Sequence, residues 1–265
     1  MHDYQTNRVQ HPLVVIYHYH VSSSDNNAAL TKYLTEEQLQ HLQKFKADTP
    51  RGSYLSSRAL LNAALQHYLE LDSNNINIQH NAHGKPFIAS PENCAWAFNL
   101  SHTSSLSIII LNKHLEVGID IENPSRKGRH LEIAQRYFCK SEYETLKNLS
   151  DAVKQQEYFF KLWTFKEAYL KARGTGLAQS LNSVSAKIDT ASNTLHIASH
   201  IPTDFSHVIY SQFPLKEHLC CITALSQEAL DTRLYLYEYN SGTNAFTECR
   251  LPRDAQPRLA TLRYP

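Results

Sequence analysis

Chemistry in this chain concentrates in two short stretches, Gly118-Ile119-Asp120-Ile121-Glu122 and Trp163-Thr164-Phe165-Lys166-Glu167-Ala168-Tyr169-Leu170-Lys171. The first alternates apolar and acidic residues, so it reads as a strand on which Asp120 and Glu122 project to one side. Val117, Ile119 and Ile121 take the apolar side, and Gly118 is expected to leave room for a ligand. The second stretch has helical spacing, which puts Glu167 and Lys171 on one face beside Phe160 and Trp163. Three carboxylates and an ammonium meeting in one cleft would hold a hard divalent cation, such as Mg²⁺, against a polyphosphate. Each stretch also has a plain reading. The acids could end a solvated strand, and Glu167 with Lys171 could form a surface pair worth about 0.3–0.5 kcal/mol.

Other positions have suitable side chains. Arg58 stands in an apolar helical stripe with Tyr54, Leu61 and Leu65, and Arg51 lies seven residues earlier on nearly the same face. A guanidinium there either snorkels outward or is held in a cleft by an anion. Gly84-Lys85-Pro86 is a rigid turn that presents one lysine. Asn99-Leu100-Ser101-His102 ends a strand with side chains able to grip a phosphate or an adenine edge, although His102 could equally be a satisfied structural histidine. Lys166 adds a base beside Glu167. Arg126, Lys127, Arg129 and Arg136 form either a solvated loop or a patch for an acidic partner.

These side chains need a frame. Strands are expected at 13–20, 76–79, 95–100, 106–111, 115–122, 183–189, 207–213, 219–225 and 234–239. The strands at 106–111 and 115–122 resemble a hairpin closed by Asn112-Lys113-His114. Thr35 and Gln38 spell a capping box for a helix that Asp48-Thr49-Pro50 should stop. Helices follow at 53–71 and 131–138, then one capped by Ser141 with Glu144, and a long one at 152–173 ended by Gly174. The order implies an α+β fold of two similar halves, with the helices at 51–69 and 158–172 as possible equivalents. The expected division is 1–115, 116–239 with the acidic site, and a loosely attached tail at 240–265.

The 265 residues carry a formal charge of +1, which gives no basis for a generic nucleic-acid surface. No apolar run reaches membrane-spanning length, and no basic-then-apolar leader opens the chain, so a cytoplasmic protein is expected. The five cysteines show no metal-type spacing and are expected to be idle thiols.

Together, Gly84-Lys85-Pro86, Phe98-Asn99-Leu100-Ser101-His102-Thr103, Gly118–Glu122 and Trp163–Lys171 resemble the 4′-phosphopantetheinyl transferase superfamily, in its larger surfactin-type branch. The 47 residues between Asp120 and Glu167 agree with that family's motif interval. The resemblance covers roughly residues 30–225. It implies a pseudodimeric fold binding coenzyme A and Mg²⁺ between its halves, and transfer of the 4′-phosphopantetheine arm to a serine of an acyl or peptidyl carrier protein. Adenosine 3′,5′-bisphosphate leaves. By this likeness Asp120, Glu122 and Glu167 match metal ligands, and Lys171 matches a lysine steadying the leaving phosphate. Lys85, Ser101, His102 and Arg58 match the nucleotide site, with Arg51 and Lys166 as further candidates for it. The serine's base would be Glu167 or a metal-bound water. One departure is Ala59, where some relatives carry a hydroxyl that touches phosphate; Ser56 or Ser57 could replace it. The basic residues near 126–136 would meet the carrier's acidic helix, and a chain holding both halves could act as a monomer. Rival readings are a magnesium-dependent phosphodiesterase or nuclease, and a non-catalytic carrier-binding module.

Overall fold

Apolar residues that recur on both sides of a strand must be covered twice, and this chain does so by stacking two sheets between two long helices. The structure, a computed structural model, describes residues 13–19, 30–70, 75–92, 94–176, 179–189, 192, 194–252 and 255–263. The first half runs β1 (Leu13–Tyr19), α1 (Glu36–Leu42), α2 (Asp48–Leu69), β2 (Asn77–His80), β3 (Pro86–Ser90), β4 (Trp96–His102) and β5 (Leu106–Lys113). There follow β6 (Glu116–Glu122), α3 (His130–Tyr137), α4 (Lys140–Lys147), α5 (Ala152–Arg173), β7 (Val184–Asp189), β8 (Thr194–Ser199), β9 (His207–Leu215) and β10 (His218–Ser226). The chain closes with β11 (Leu234–Asn240), β12 (Ala245–Glu248) and β13 (Arg258–Thr261).

The pairing repeats. β5 lies antiparallel between β1 and β4, and β10 lies antiparallel between β6 and β9. Each half also contains a 22-residue helix, α2 or α5, and a two-stranded hairpin, β2–β3 or β7–β8. The two α+β halves expected from the sequence are therefore visible as one topology used twice. The complete sheets run β12-β11-β1-β5-β4 and β13-β9-β10-β6. Val15, Ile108 and Ile110 meet Ile119, Ile121 and Ile222 between the sheets. The outer face of one sheet packs on Leu60 and Ala64 of α2, and that of the other on Phe165 and Ala168 of α5.

Local signals explain most element ends. Thr35 and Gln38 form the expected reciprocal cap on α1. Asp151 caps α5, and Gly174 ends it in the left-handed region at φ 67°. Five expectations need correction. Asp48-Thr49-Pro50 begins α2 rather than stopping α1, because a proline in a helix's first turn lacks only a donor that would be unpaired anyway. Helix α4 is capped two residues early, by Cys139 with Glu142, instead of Ser141 with Glu144. β5 and β6 do not form a hairpin: they leave Asn112-Lys113-His114 into different sheets, since each is buried on both faces and needs its own partners. The described residues from 240 onward are no loose tail, for β12 pairs with β11 and β13 pairs with β9. β11 itself, assigned to the second half, pairs parallel with β1. The start of the tract at 13–20 is seen as β1, but residue 20 lies outside the described residues. Among the described residues no helix is long and apolar enough to cross a membrane.

Candidate active site at the seam of the two halves

β6 is the edge strand of its sheet, and its alternation divides the two environments. Val117, Ile119 and Ile121 enter the core between the sheets, while Gly118, Asp120 and Glu122 face α5. Gly118 makes no room for a ligand. A Cβ there would lie 2.0 Å from the Ala168 carbonyl oxygen and 2.5 Å from the Ala172 nitrogen, so glycine is what lets α5 rest on the strand. Thr223 on β10 donates to the same Ala168 carbonyl at 2.9 Å and fixes the helix there.

That close approach brings Lys171 onto Asp120. Lys171 Nζ lies 2.6 Å from Asp120 Oδ1, and it also donates to the Ile119 carbonyl at 3.1 Å and to Ser101 Oγ at 3.2 Å. Ser101, on β4 of the other half, donates to Asp120 Oδ1 at 3.2 Å. Asp120 Oδ2 is buried and accepts no hydrogen bond, an acceptor that ordinarily demands a partner. Glu122 takes the Trp163 indole N–H on Oε1 at 3.1 Å, and Arg126 approaches its Oε2 at 3.5 Å.

Electrostatics joins the third carboxylate to these two. Glu167 is half-buried, and its pKa is raised first by burial and then by the charge on Asp120, with Lys171 opposing and Glu122 adding. Glu122 is likewise raised by burial and then by Asp120, against Arg126, the Trp163 hydrogen bond and Lys171. The charge on Asp120 thus raises the cost of ionising both Glu122 and Glu167, and Glu122 adds to the cost at Glu167. Among the described residues no group of three His, Cys, Asp or Glu side chains is placed so that it could hold a metal ion as it stands. The chemistry of the donors nevertheless fits a hard cation, with three oxygen-bearing groups and one buried carboxylate oxygen left unpartnered.

The remaining candidates divide. His102 is exposed at the end of β4. Desolvation lowers its pKa most, followed by the charges of Lys171 and Arg58, so cations from both halves bear on this imidazole. Arg58 lies 5.5 Å over the Tyr54 ring and lines a cavity of about 320 Å³ with Gln38, His41 and His80. Arg51 is exposed in the first turn of α2. Lys85 is committed elsewhere: its Nζ pairs with Glu116 and donates to the Ala172 carbonyl at 2.7 Å, tying the β2–β3 turn to the end of α5. Asn81 reinforces that tie with a 2.9 Å bond to the Gly174 carbonyl.

Lys166 does not belong to the site. It is fully buried on another face of α5, 2.8 Å from Glu142 and bonded to the Leu181 and Val184 carbonyls. One residue of separation on a helix is a turn of 100°, so Lys166 cannot share the Glu167 face. Of the substitutes for the missing hydroxyl at Ala59, Ser57 donates to the Tyr54 carbonyl, whereas Ser56 Oγ is buried without a partner. In the basic patch Arg126 meets Glu122, Arg129 pairs with Glu132 at 3.2 Å, and Arg136 lies over Tyr137. Sequence reasoning missed Glu142 as the partner of Lys166; the usable signal was the Cys139–Glu142 capping box. It also missed Arg126 as the counter-ion of Glu122, which the four-residue spacing could have suggested.

A family model described as the 4′-phosphopantetheinyl transferase superfamily matches residues 116–223, and one described as 4′-phosphopantetheinyl transferase, N-terminal, matches 21–114. The chain is 32% identical to the 4′-phosphopantetheinyl transferase HetI of Nostoc sp., over 57% of this chain and 63% of that protein. It is 30% identical to the 4′-phosphopantetheinyl transferase Sfp of Bacillus subtilis, over 63% of this chain and 71% of that one. The match thus spans less than two thirds of the first relative's length. A solved holo-(acyl-carrier-protein) synthase from Bacillus anthracis, in complex with CoA (3′,5′-ADP), is 24% identical with a TM-score of 0.36, covering 43% of this chain and 98% of that one.

Proposed function

Because the chain belongs to the 4′-phosphopantetheinyl transferase superfamily, we propose that it moves the 4′-phosphopantetheine arm of coenzyme A onto a serine hydroxyl of an acyl or peptidyl carrier protein, releasing adenosine 3′,5′-bisphosphate. The observation that carries this reading is Asp120: one carboxylate oxygen held by Lys171 and Ser101, the other buried and unpartnered, beside two acids with raised pKa values. Asp120, Glu122 and Glu167 are the residues that would hold Mg²⁺. When bound, the ion would act as a Lewis acid and template on the coenzyme A diphosphate. Lys171 contributes a positive charge for the leaving bisphosphate and, through Ile119 and Ser101, is already fixed in direction. Glu167, whose surroundings favour the protonated form, is suited to take the serine proton as the oxygen attacks phosphorus. His102, with Arg58 and Lys171 acting on it, and the exposed Arg51 suit the nucleotide's phosphates. Lys85 would join them only by giving up Glu116.

The exposed cluster of Arg126, Lys127, Arg129 and Arg136 would meet an acidic helix of the carrier and steer its approach. A monomer is consistent with both halves residing in one chain, and the proposed compartment is the cytoplasm. The test mixes the protein with an apo carrier, coenzyme A and Mg²⁺ and weighs the intact carrier. The expected result is a mass gain of one phosphopantetheine arm. No adduct on fatty-acid, polyketide or peptide carriers, together with cleavage of nucleic acid, would replace this reading with the nuclease.

A further inference from the structure

The two β-hairpin turns that correspond in the repeated topology touch each other across the seam. The β4–β5 turn, 103–105, comes from the first half, and the β9–β10 turn, 216–217, from the second. His218 Nε2 lies 3.0 Å from Thr103 Oγ1, and Ser105 Oγ donates to Glu217 Oε1 at 3.4 Å. Thr103 is the hub of its turn. Its Oγ1 accepts the Ser105 N–H at 3.3 Å and the Leu106 N–H at 3.2 Å, while its carbonyl accepts Ser53 Oγ of α2 at 3.3 Å.

Valence then settles the direction of the contact. A hydroxyl oxygen has two lone pairs, and both are used by the amides, so the Thr103 proton must go to His218. Nε2 is therefore the acceptor and Nδ1 carries the ring hydrogen. The Nδ1 side is buried and makes no well-formed hydrogen bond, with Glu217 3.8 Å away and the Leu215 backbone also acting on the ring. Burial also pushes the imidazole toward its neutral form. His218 is 3% exposed, so this is an internal strut and no ligand contact.

Two residues before Thr103 stands Ser101, which bonds both Asp120 and Lys171, and the residue between is His102. We propose that His218 is a positioning residue, which from the second half locks the Thr103 turn and thereby fixes the strand end carrying Ser101 and His102 toward the nucleotide. The consequence for coenzyme A rests on the transferase reading above; the strut itself does not.

The test compares His218→Ala, His218→Gln, Thr103→Val, Thr103→Ser and the double variant His218→Ala/Thr103→Val. Amide exchange at Ser105 and Leu106 is measured in the free protein, coenzyme A affinity by calorimetry, and KM and kcat with an apo carrier. His218→Ala should speed exchange at both amides and raise Kd and KM for coenzyme A about tenfold, leaving kcat within about twofold. Gln at 218, which can offer an acceptor oxygen, and Ser at 103 should recover most of the loss. The double variant should be no worse than Thr103→Val alone. Unchanged exchange in His218→Ala, additive losses in the double variant, or a fall in kcat at constant KM would each overturn the proposal. If the unsubstituted protein bound no coenzyme A, the transferase reading would fall; faster exchange in His218→Ala would then still support the strut, and unchanged exchange would still overturn it.

Discussion

The first strands of the two halves occupy equivalent places, yet they meet their long helices with opposite chemistry. On β1 the residues facing α2 are Val14 and Ile16, buried among Leu60, Ala63 and Ala64. On β6 the residues facing α5 are Gly118, Asp120 and Glu122. One half thus uses the strand–helix contact as core, and the other uses the same contact as a charged seam. Both halves also anchor an extra helix through a buried polar contact. In the first, Asn62 of α2 donates 2.7 Å bonds to the Tyr33 carbonyl and to Gln38 of α1. In the second, Lys166 of α5 pairs with Glu142 of α4. The scaffold tolerates a polar contact in either place, whereas at β6 acidic groups are crowded together against the long helix. Like charges at close range oppose folding, so their presence there marks chemistry that the frame must offset by packing elsewhere.

The largest expected contrast separates activity from stability. Asp120→Asn and Glu167→Gln should each lower transfer to an apo carrier by about a thousandfold, ~4 kcal/mol of barrier. Both should leave the thermal midpoint nearly unmoved: Glu167→Gln relieves repulsion, and in Asp120→Asn the amide oxygen still accepts from Lys171, which is partly open to solvent and so is not stranded as a buried charge. Ile16→Ala on the equivalent strand should do the reverse, costing about 2–5 kcal/mol in stability by opening a cavity while each folded molecule keeps its turnover. Equal stability losses from the β1 and β6 substitutions would erase the distinction between the halves.

The helix anchors come next. Lys166→Met strands Glu142, which also receives the Cys139 and Ala186 amide hydrogens, in a nearly water-free site. Chemical denaturation should show a loss of about 3–5 kcal/mol, with much of it recovered in Lys166→Met/Glu142→Leu. The neutral anchor should cost less: Asn62→Leu leaves the Tyr33 carbonyl short of a donor, a loss of about 1–3 kcal/mol. A Lys166→Met variant that kept full stability but lost coenzyme A affinity would return this lysine to the nucleotide site.

Gly118→Ala sharpens the contrast at a single atom. Its methyl would strike the α5 backbone, and neither neighbour is a side chain able to swing aside. A loss of about 1–3 kcal/mol is expected, together with reduced transfer, since Lys171 and Glu167 ride on the displaced helix. A variant with unchanged melting and activity would show that α5 does not depend on this close contact.

How much of this was legible before the structure follows from the range of each interaction. Thr35 with Gln38, and the Gly174 stop, are decided within four residues, and both were readable. So were the shared faces of Asp120 with Glu122 and of Glu167 with Lys171, since strand and helix periods dictate them. Gly118 was misread because its neighbour is a helix 50 residues downstream, and a bare spacing cannot distinguish room for a ligand from room for a backbone. Lys166 was misread for a related reason: its partner Glu142 lies on another helix. The fate of β5 and β6 depended on strands at 13–19 and 218–226. Terminal strands β12 and β13 are short and largely exposed, so no apolar alternation announced them.

The smallest expected effect concerns pH, and it distinguishes histidines that line the seam from those that pack it. His67, His130 and His218 all have pKa values lowered chiefly by burial, and so does His102 with added repulsion from Lys171 and Arg58. A lowered value means the folded state resists a proton that the unfolded chain accepts near its ordinary value of about 6.5. Stability is therefore full above that value and declines as pH falls through it toward the folded values. His218→Gln, which keeps an acceptor for Thr103 but cannot titrate, should reduce the slope of stability against pH between about 7 and 5. His102→Gln, at the exposed strand end, should flatten it less while weakening coenzyme A binding more. A steeper slope in His218→Gln, measured by denaturation across that range, would mean that the imidazole is charged in the folded protein. The strut between the two halves would then have to run from histidine to threonine instead.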